Sequence, residues 1–278
     1  MPRSTGEKRA VFRDLHATGC FVLPNAWDTG SARHLAGLGF RAVASTSSGF
    51  AWSRGRADGA MALDEVLDHL RELVGATDLP VNADFEDGYA DTPGQVADHV
   101  RLAVDTGIAG LSIEDSTGDP DAPLRDLGDA VERVRAAREA IDATGGDVLL
   151  VGRSEGFIVG RPDLEETLRR LVAYADAGAD CLYAPGIGTS EQITAVVEAV
   201  APKPVNVLVG GPSDLTVSAL AALGVRRVSV GGALARAAWG GFLRAARELA
   251  DHGRFDGFEG AAPGSELNDS FRAASRQA

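Results

Sequence analysis

The chain has 278 residues, of which 45% are hydrophobic and 24% charged, a composition that builds a core and excludes a disordered chain. Lys and Arg number 27 against 40 Asp and Glu, a formal charge of −13, which argues against a nucleic-acid partner, and two cysteines cannot form a disulfide framework. No apolar run reaches the roughly 20 residues of a membrane span, and Met1 to Arg9 opens no apolar leader, so a soluble cytoplasmic protein without a membrane partner is expected.

In chain order, residues 3–19 read as a helix capping the bottom of the strand-and-helix body. Strands are expected at Cys20–Pro24, Ala42–Ser45, Val81–Phe85, Gly110–Glu114, Val148–Arg153, Cys181–Ala184, Val205–Val209 and Arg227–Val230. Helical patterns separate them, as at Leu63–Leu73, Ala130–Ala143, Leu164–Ala177 and Glu191–Val200. A helix, a glycine and an apolar strand recur in that order around Gly39, Gly107, Gly178 and Gly224, with the glycine suited to a left-handed helix end. Short apolar strands alternating with helices predict a covered parallel sheet, and eight such units predict a (β/α)8 TIM barrel. The alternative, an open doubly wound sheet, lacks its Gly-x-Gly-x-x-Gly turn after the first strand. A long helix at Ala233–His252 and a tail at 253–278 complete a single domain over 1–278.

Chemistry in such a barrel sits at the C-terminal strand ends. Asp84 and Glu86, two apart at the end of strand 3, and Glu114 at the end of strand 4 are expected to share one side. Three facing carboxylates repel one another unless a hard divalent cation lies between them, and oxygen ligands select Mg2+ or Mn2+. Arg153, at the end of strand 5 beside Glu155, offers a planar fork to a substrate carboxylate; its structural alternative is to neutralise Glu155 or Glu114. The Ser45-Thr46-Ser47-Ser48-Gly49 turn offers hydroxyls and N–H groups to an anion. Lys8 and Lys203 are both placed away from the mouth, which disfavours Schiff-base chemistry, and none of the five histidines falls at a strand end. Cys20 and Cys181 start strands and read as core residues.

Taken together, Leu23 to Asp28, Ser45 to Gly49 with Asp58 beyond, Asp84 to Tyr89, Ile113-Glu114-Asp115 and Val151-Gly152-Arg153 resemble the phosphoenolpyruvate mutase/isocitrate lyase superfamily over nearly the whole chain. The resemblance implies a homo-oligomeric (β/α)8 barrel, a tetramer or dimer that exchanges its last helices. It implies Mg2+ held by Asp84, Glu86 and Glu114, with Asp58 as a further acidic residue of that site. It also implies a substrate end held by Ser45, Thr46 and Ser47, beside Trp27 and Asp28, and a substrate-binding Arg153. Isocitrate and methylisocitrate lyases carry Lys-Lys-Cys-Gly-His in the loop after strand 4, whereas residues 116–125 here contain no lysine, cysteine or histidine. The mutases' lysine and asparagine in that loop are absent too, and Leu208 stands where the family has an asparagine, with Asn206 nearby. The expectation is therefore a Mg2+-dependent lyase or decarboxylase that cleaves a C–C bond of a small 2-oxo or 2-hydroxy acid through an enolate. Arg153 would orient the substrate, and Asp58 or Glu155 would move a proton. The alternatives are P–C chemistry of the phosphoenolpyruvate mutase or phosphonopyruvate hydrolase type, drawing on Arg54, Arg56 and Arg125, and a non-catalytic barrel that binds a metabolite.

Overall fold

Capping chemistry sets where the helices begin. Helix α1 (Thr5–Ala17) follows Ser4, whose hydroxyl accepts the Glu7 N–H while the Glu7 carboxylate accepts the Ser4 N–H. The same reciprocal pair, Thr92 with Gln95 and Thr189 with Gln192, starts α5 (Pro93–Asp105) and α8 (Ser190–Ala199). The recurring glycine does what its position predicts at Gly178: φ is 107°, and a Cβ there would lie 2.6 Å from the Arg138 side chain. The structure, a computed structural model, describes residues 2–275. Residue 1 and residues 276–278, the outer ends of the expected N-terminal segment and tail, lie outside the described residues.

The strands are β1 (Phe21–Leu23), β2 (Val43–Ala44), β3 (Val81–Asp84), β4 (Gly110–Glu114), β5 (Leu149–Arg153), β6 (Cys181–Tyr183), β7 (Val205–Leu208) and β8 (Arg227–Ser229). The remaining helices are α2 (Thr29–Gly37), α3 (Ser47–Ser53), α4 (Leu63–Ala76), α6 (Leu127–Ala143), α7 (Leu164–Asp176), α9 (Val217–Ala222), α10 (Ala233–His252) and α11 (Gly264–Ser275). All strand pairs are parallel, in the order β1-β8-β7-β6-β5-β4-β3-β2, and a parallel bridge between Asn25 and Ala44 brings the first and last strands together. This is the nearly closed (β/α)8 barrel that the alternating pattern predicts. The Asn25 side chain reinforces the closure. Its amide donates to the Ser45 carbonyl at 2.7 Å, and its oxygen accepts the Val230 and Gly231 N–H groups at 3.1 and 2.8 Å.

Alternation along the strands divides two apolar layers. Leu149 and Val151 of β5 join Phe21, Leu23, Ala42, Ala44 and Cys181 inside the barrel, where Phe12 and Leu15 of α1 also pack. Leu150, between them, faces the outer layer with Leu70, Val96, Ile113, Leu171 and Leu182. Most strands are a residue or so shorter at one or both ends than the sequence suggests. The turn expected at Ser45–Gly49 becomes the start of α3, because the Thr46 hydroxyl accepts the Gly49 N–H at 3.3 Å and caps a helix. Among the described residues no helix is long and apolar enough to cross a membrane.

Candidate active site

β3, β4 and β5 end side by side, and their registers bring Glu114 opposite Arg153. The Arg153 guanidinium is the centre of the cluster. Its Nη1 lies 2.9 Å from Asp84 Oδ1 and 3.1 Å from Glu114 Oε2, its Nε donates to Glu155 Oε1, and its carbon lies 5.2 Å from the centre of the Tyr183 ring. The Nη2 group carries no hydrogen bond to another described residue. Asp84 is fixed from a second direction, since its Oδ2 accepts the Ser47 N–H at 3.0 Å and its own N–H donates to Ser45 Oγ at 2.8 Å. The turn singled out as an anion binder thus holds a carboxylate of the protein itself. Ser45 and Thr46 are buried with their hydroxyls engaged, and the Ser47 side chain lies beside Asp58 and holds its acid down against the rise from burial.

Glu86 departs from the strand geometry expected of it. Its φ is 45° and that of Tyr89 is 53°, left-handed values that β-region alternation does not describe. The turn through Gly88, φ 85°, carries Tyr89 back so that its hydroxyl donates to Glu86 Oε1 at 2.8 Å. The Glu86 carbonyl accepts the Glu114 N–H at 2.9 Å, which ties the two strand ends together.

Three carboxylates, those of Asp84, Glu114 and Glu155, therefore pair with one guanidinium, and Asp58 and Glu86 lie close enough to Asp84 to feel its charge. Burial pushes the Glu86 acid up to about 7, with Asp84, Asp58 and Asp87 adding to the rise against the Tyr89 bond. Burial likewise raises Glu114 and Glu155 against the pull of Arg153, and it raises Asp58 with help from Asp84. Burial opposes the Arg153 charge, yet Glu114, Glu155 and Asp84 outweigh it and hold the guanidinium firmly protonated. The donor set is all oxygen, partly desolvated and over-supplied with negative charge, a chemistry that fits a hard divalent cation. The side chains are not already drawn around such a site: among the described residues no group of three or more His, Cys, Asp or Glu could hold a metal as arranged.

Other expected residues lie elsewhere or are otherwise engaged. Asp28 is exposed and caps α2, accepting the Ser31 N–H at 2.7 Å, and Trp27 is half-buried against Gly49. Asn206 is fully buried in the barrel, where it donates to Ser229 Oγ and accepts from Arg227 Nε, both at 2.9 Å. Of the loop arginines, Arg125 pairs with Asp87 at 2.7 Å, Arg56 pairs with Glu65 at 2.6 Å, and Arg54 lies over Phe50. Sequence reasoning quoted Tyr89 and Asp115 within its motifs without giving either a role, and it missed Tyr183 and the pair Arg170 and Tyr174 that is buried with Asp115. The available signal was an arginine and a tyrosine at i, i+4 on the inward face of α7. A cleft of about 620 Å³ opens between residues 121–124 and the start of α7, with Ser154, Arg161 and Arg170 in its walls and none of the cluster's acids or Arg153 lining it.

A parallel barrel with its buried ionisable cluster at the C-terminal strand ends defines a (β/α)8-barrel enzyme site. The chain belongs to the phosphoenolpyruvate phosphomutase family, whose model matches residues 12–250. It is an enzyme of the phosphoenolpyruvate mutase/isocitrate lyase superfamily. A crystal structure of a provisional lyase/mutase from Burkholderia cenocepacia J2315 is 49% identical, with a TM-score of 0.93 and coverage of 96% of this chain and 97% of that one. The oxaloacetate decarboxylase of Pseudomonas putida (strain GB-1) is 30% identical over 238 residues, 82% of this chain and 80% of that protein. A structure of oxaloacetate acetylhydrolase with its product oxalate is 29% identical, with a TM-score of 0.83 and coverage of 97% and 94%.

Proposed function

We propose that the protein is a Mg2+-dependent lyase acting on a small 2-oxo dicarboxylic acid of the oxaloacetate type, with decarboxylation as its reaction. The observation that carries this reading is the buried excess of carboxylate at the strand ends, with Asp84, Glu114 and Glu155 on Arg153 and Asp58 and Glu86 beside Asp84. The oxaloacetate enzymes among its relatives support the substrate class. The loop after β4, a hairpin closed by the antiparallel bridge between Ser116 and Leu124, supports decarboxylation, because residues 116–125 hold no lysine, cysteine or histidine to serve as an acid.

Asp84, Glu86 and Glu114 would hold the metal, with Asp58 completing the acidic wall. When bound, the cation would supply Lewis acidity to the substrate oxygen on which negative charge develops. The chain's own groups do the rest. Arg153, held by Glu155, presents Nη2 to an anionic end of the substrate. Tyr89 fixes one oxygen of Glu86 and so sets which oxygen faces the mouth. Ser47 and Ser45 hold Asp84 in place. Loss of CO2 from C3 leaves the bonding electrons on the C2 oxygen as an enolate, and a proton delivered at C3, with Asp58 as the donor at hand, completes the product. The loop arginines that P–C chemistry would need are committed to Asp87, Glu65 and the Phe50 ring.

The protein acts as a homo-oligomer in this reading. α10 exposes Trp239, Phe242, Leu243 and Leu249 and buries only Ala235, an apolar face of the kind that a second copy covers.

The test is a panel of oxaloacetate, dimethylmalate, isocitrate, methylisocitrate, phosphonopyruvate and phosphoenolpyruvate with Mg2+, following CO2, pyruvate, glyoxylate and phosphate. CO2 and pyruvate from oxaloacetate are expected. Phosphate release, or interconversion of the two phosphorus compounds, would replace this reading with P–C chemistry.

A further inference from the structure

We propose that Arg170 and Tyr174, one turn apart on α7, are positioning residues that act through Asp115 on Glu155 and on the foot of the hairpin at 116–124. The inference rests on the reading of Glu155 and Arg153 as part of the active centre.

Asp115 follows Glu114 and is buried, with a relative exposure of 1%. A buried carboxylate is costly unless its oxygens are matched by donors. Here Oδ1 accepts the backbone N–H of Glu155 at 2.7 Å, and Oδ2 accepts the Tyr174 hydroxyl at 2.6 Å and Arg170 Nη1 at 3.1 Å. The same residue holds a second loop through its main chain, for its carbonyl accepts the Arg125 N–H at 2.9 Å. Arg170 Nη1 reaches that loop too, donating to the Arg125 carbonyl at 3.0 Å, while its Nε is fixed by Glu166 at 2.8 Å.

One aspartate therefore clips the first turn after β5 and Arg125, the residue that follows the hairpin after β4, to one another. The clip lies next to Glu114 in sequence and one hydrogen bond from Glu155, which in turn holds Arg153. Packing leaves Tyr174 little freedom, because a Cβ on Gly152 would come within 2.8 Å of the Tyr174 Cβ, so α7 lies directly on β5. A merely structural ion pair would need only Arg170 and Asp115. The third donor and the two-loop attachment are what a positioning role requires.

The experiment compares wild type with Tyr174→Phe, which removes one hydroxyl and keeps the ring. It measures kcat and KM on the acid that wild type turns over, and amide hydrogen exchange across the chain. The expected result is a fall of about tenfold in kcat, the effect of one lost bond to a charged group, with KM within about twofold. Faster exchange is expected at Glu155 and Arg125 while the other strand amides keep their protection. An unchanged kcat overturns the proposal, and so does a loss of kcat accompanied by uniformly faster exchange throughout the barrel. If Tyr174→Phe does not fold, Arg170→Lys is read by the same criteria. If wild type turns over none of the panel, the functional reading fails and exchange alone decides: selective loosening at Glu155 and Arg125 supports the clip, and its absence overturns it.

Discussion

Glu86 shows how a single residue concentrates the chemistry of the site. Its acid is raised from the ordinary value of 4.5 to about 7, mainly by burial. Between those values the folded chain keeps a proton that the unfolded chain releases, so stability falls as pH rises through that window. With a chelator present, Glu86→Gln should melt at a higher temperature than wild type at pH 8 and at the same temperature at pH 5. Parallel melting curves at both pH values would contradict the assignment. Tyr89→Phe removes the bond that favours the ionised form, so it should raise the Glu86 acid further and weaken Mg2+ binding at pH 7, read by calorimetry, by about two- to tenfold, the range of one hydrogen bond to a charged group. The residue types at the strand ends were legible from sequence because a barrel exposes those ends. The left-handed turn through Glu86 and Tyr89 was not, since alternation assumes extended backbone and a non-glycine residue with positive φ has no local signature. Nor could sequence show that the amide of Asn206 is consumed inside the barrel by Ser229 and Arg227.

At the scale of elements, close packing against glycines fixes the registers that aim the carboxylates. Gly110 opens β4, and a Cβ there would lie 2.6 Å from Phe12 of α1, 2.8 Å from Asn82 Oδ1 and 3.1 Å from the Leu149 carbonyl. Gly110→Ala should cost about 1–3 kcal/mol by overpacking and lower the melting temperature by several degrees, about 2–4 °C per kcal/mol for a chain of this size. Gly128→Ala in α6, where the structure leaves open space around the added Cβ, should not lower it. Equal melting temperatures for the two variants would show that α1 does not press on β4. The eight strands were legible because strands covered on both faces read as continuous apolar runs, and the helices because of their caps and periodicity. Helix α3 escaped notice, having only 7 residues, too short for a periodic signal in a Ser-rich sequence, whereas the still shorter α9 was marked by the glycine that follows it.

For the whole molecule, α10 and the segment after it present Trp239, Phe242, Leu243, Leu249, Phe255 and Phe258 with relative exposures of 38–68%. So many exposed large apolar side chains on one terminal segment are rare on a monomer, and a second copy is the cover we propose. Sedimentation of wild type should give a dimer or tetramer, and Phe242→Glu should shift it toward monomer; a monomeric wild type would remove the oligomer from this reading. The barrel and its acidic mouth exist within one chain, so the central claim concerns catalysis rather than assembly. The measurement that bears on it most directly is oxaloacetate turnover by wild type and Glu114→Ala, each with Mg2+ and again after chelation. Wild type should release CO2 and pyruvate only when Mg2+ is present, and Glu114→Ala should be folded and silent in both conditions. Turnover that survives chelation, or that Glu114→Ala retains, would contradict a metal held by the strand-end carboxylates.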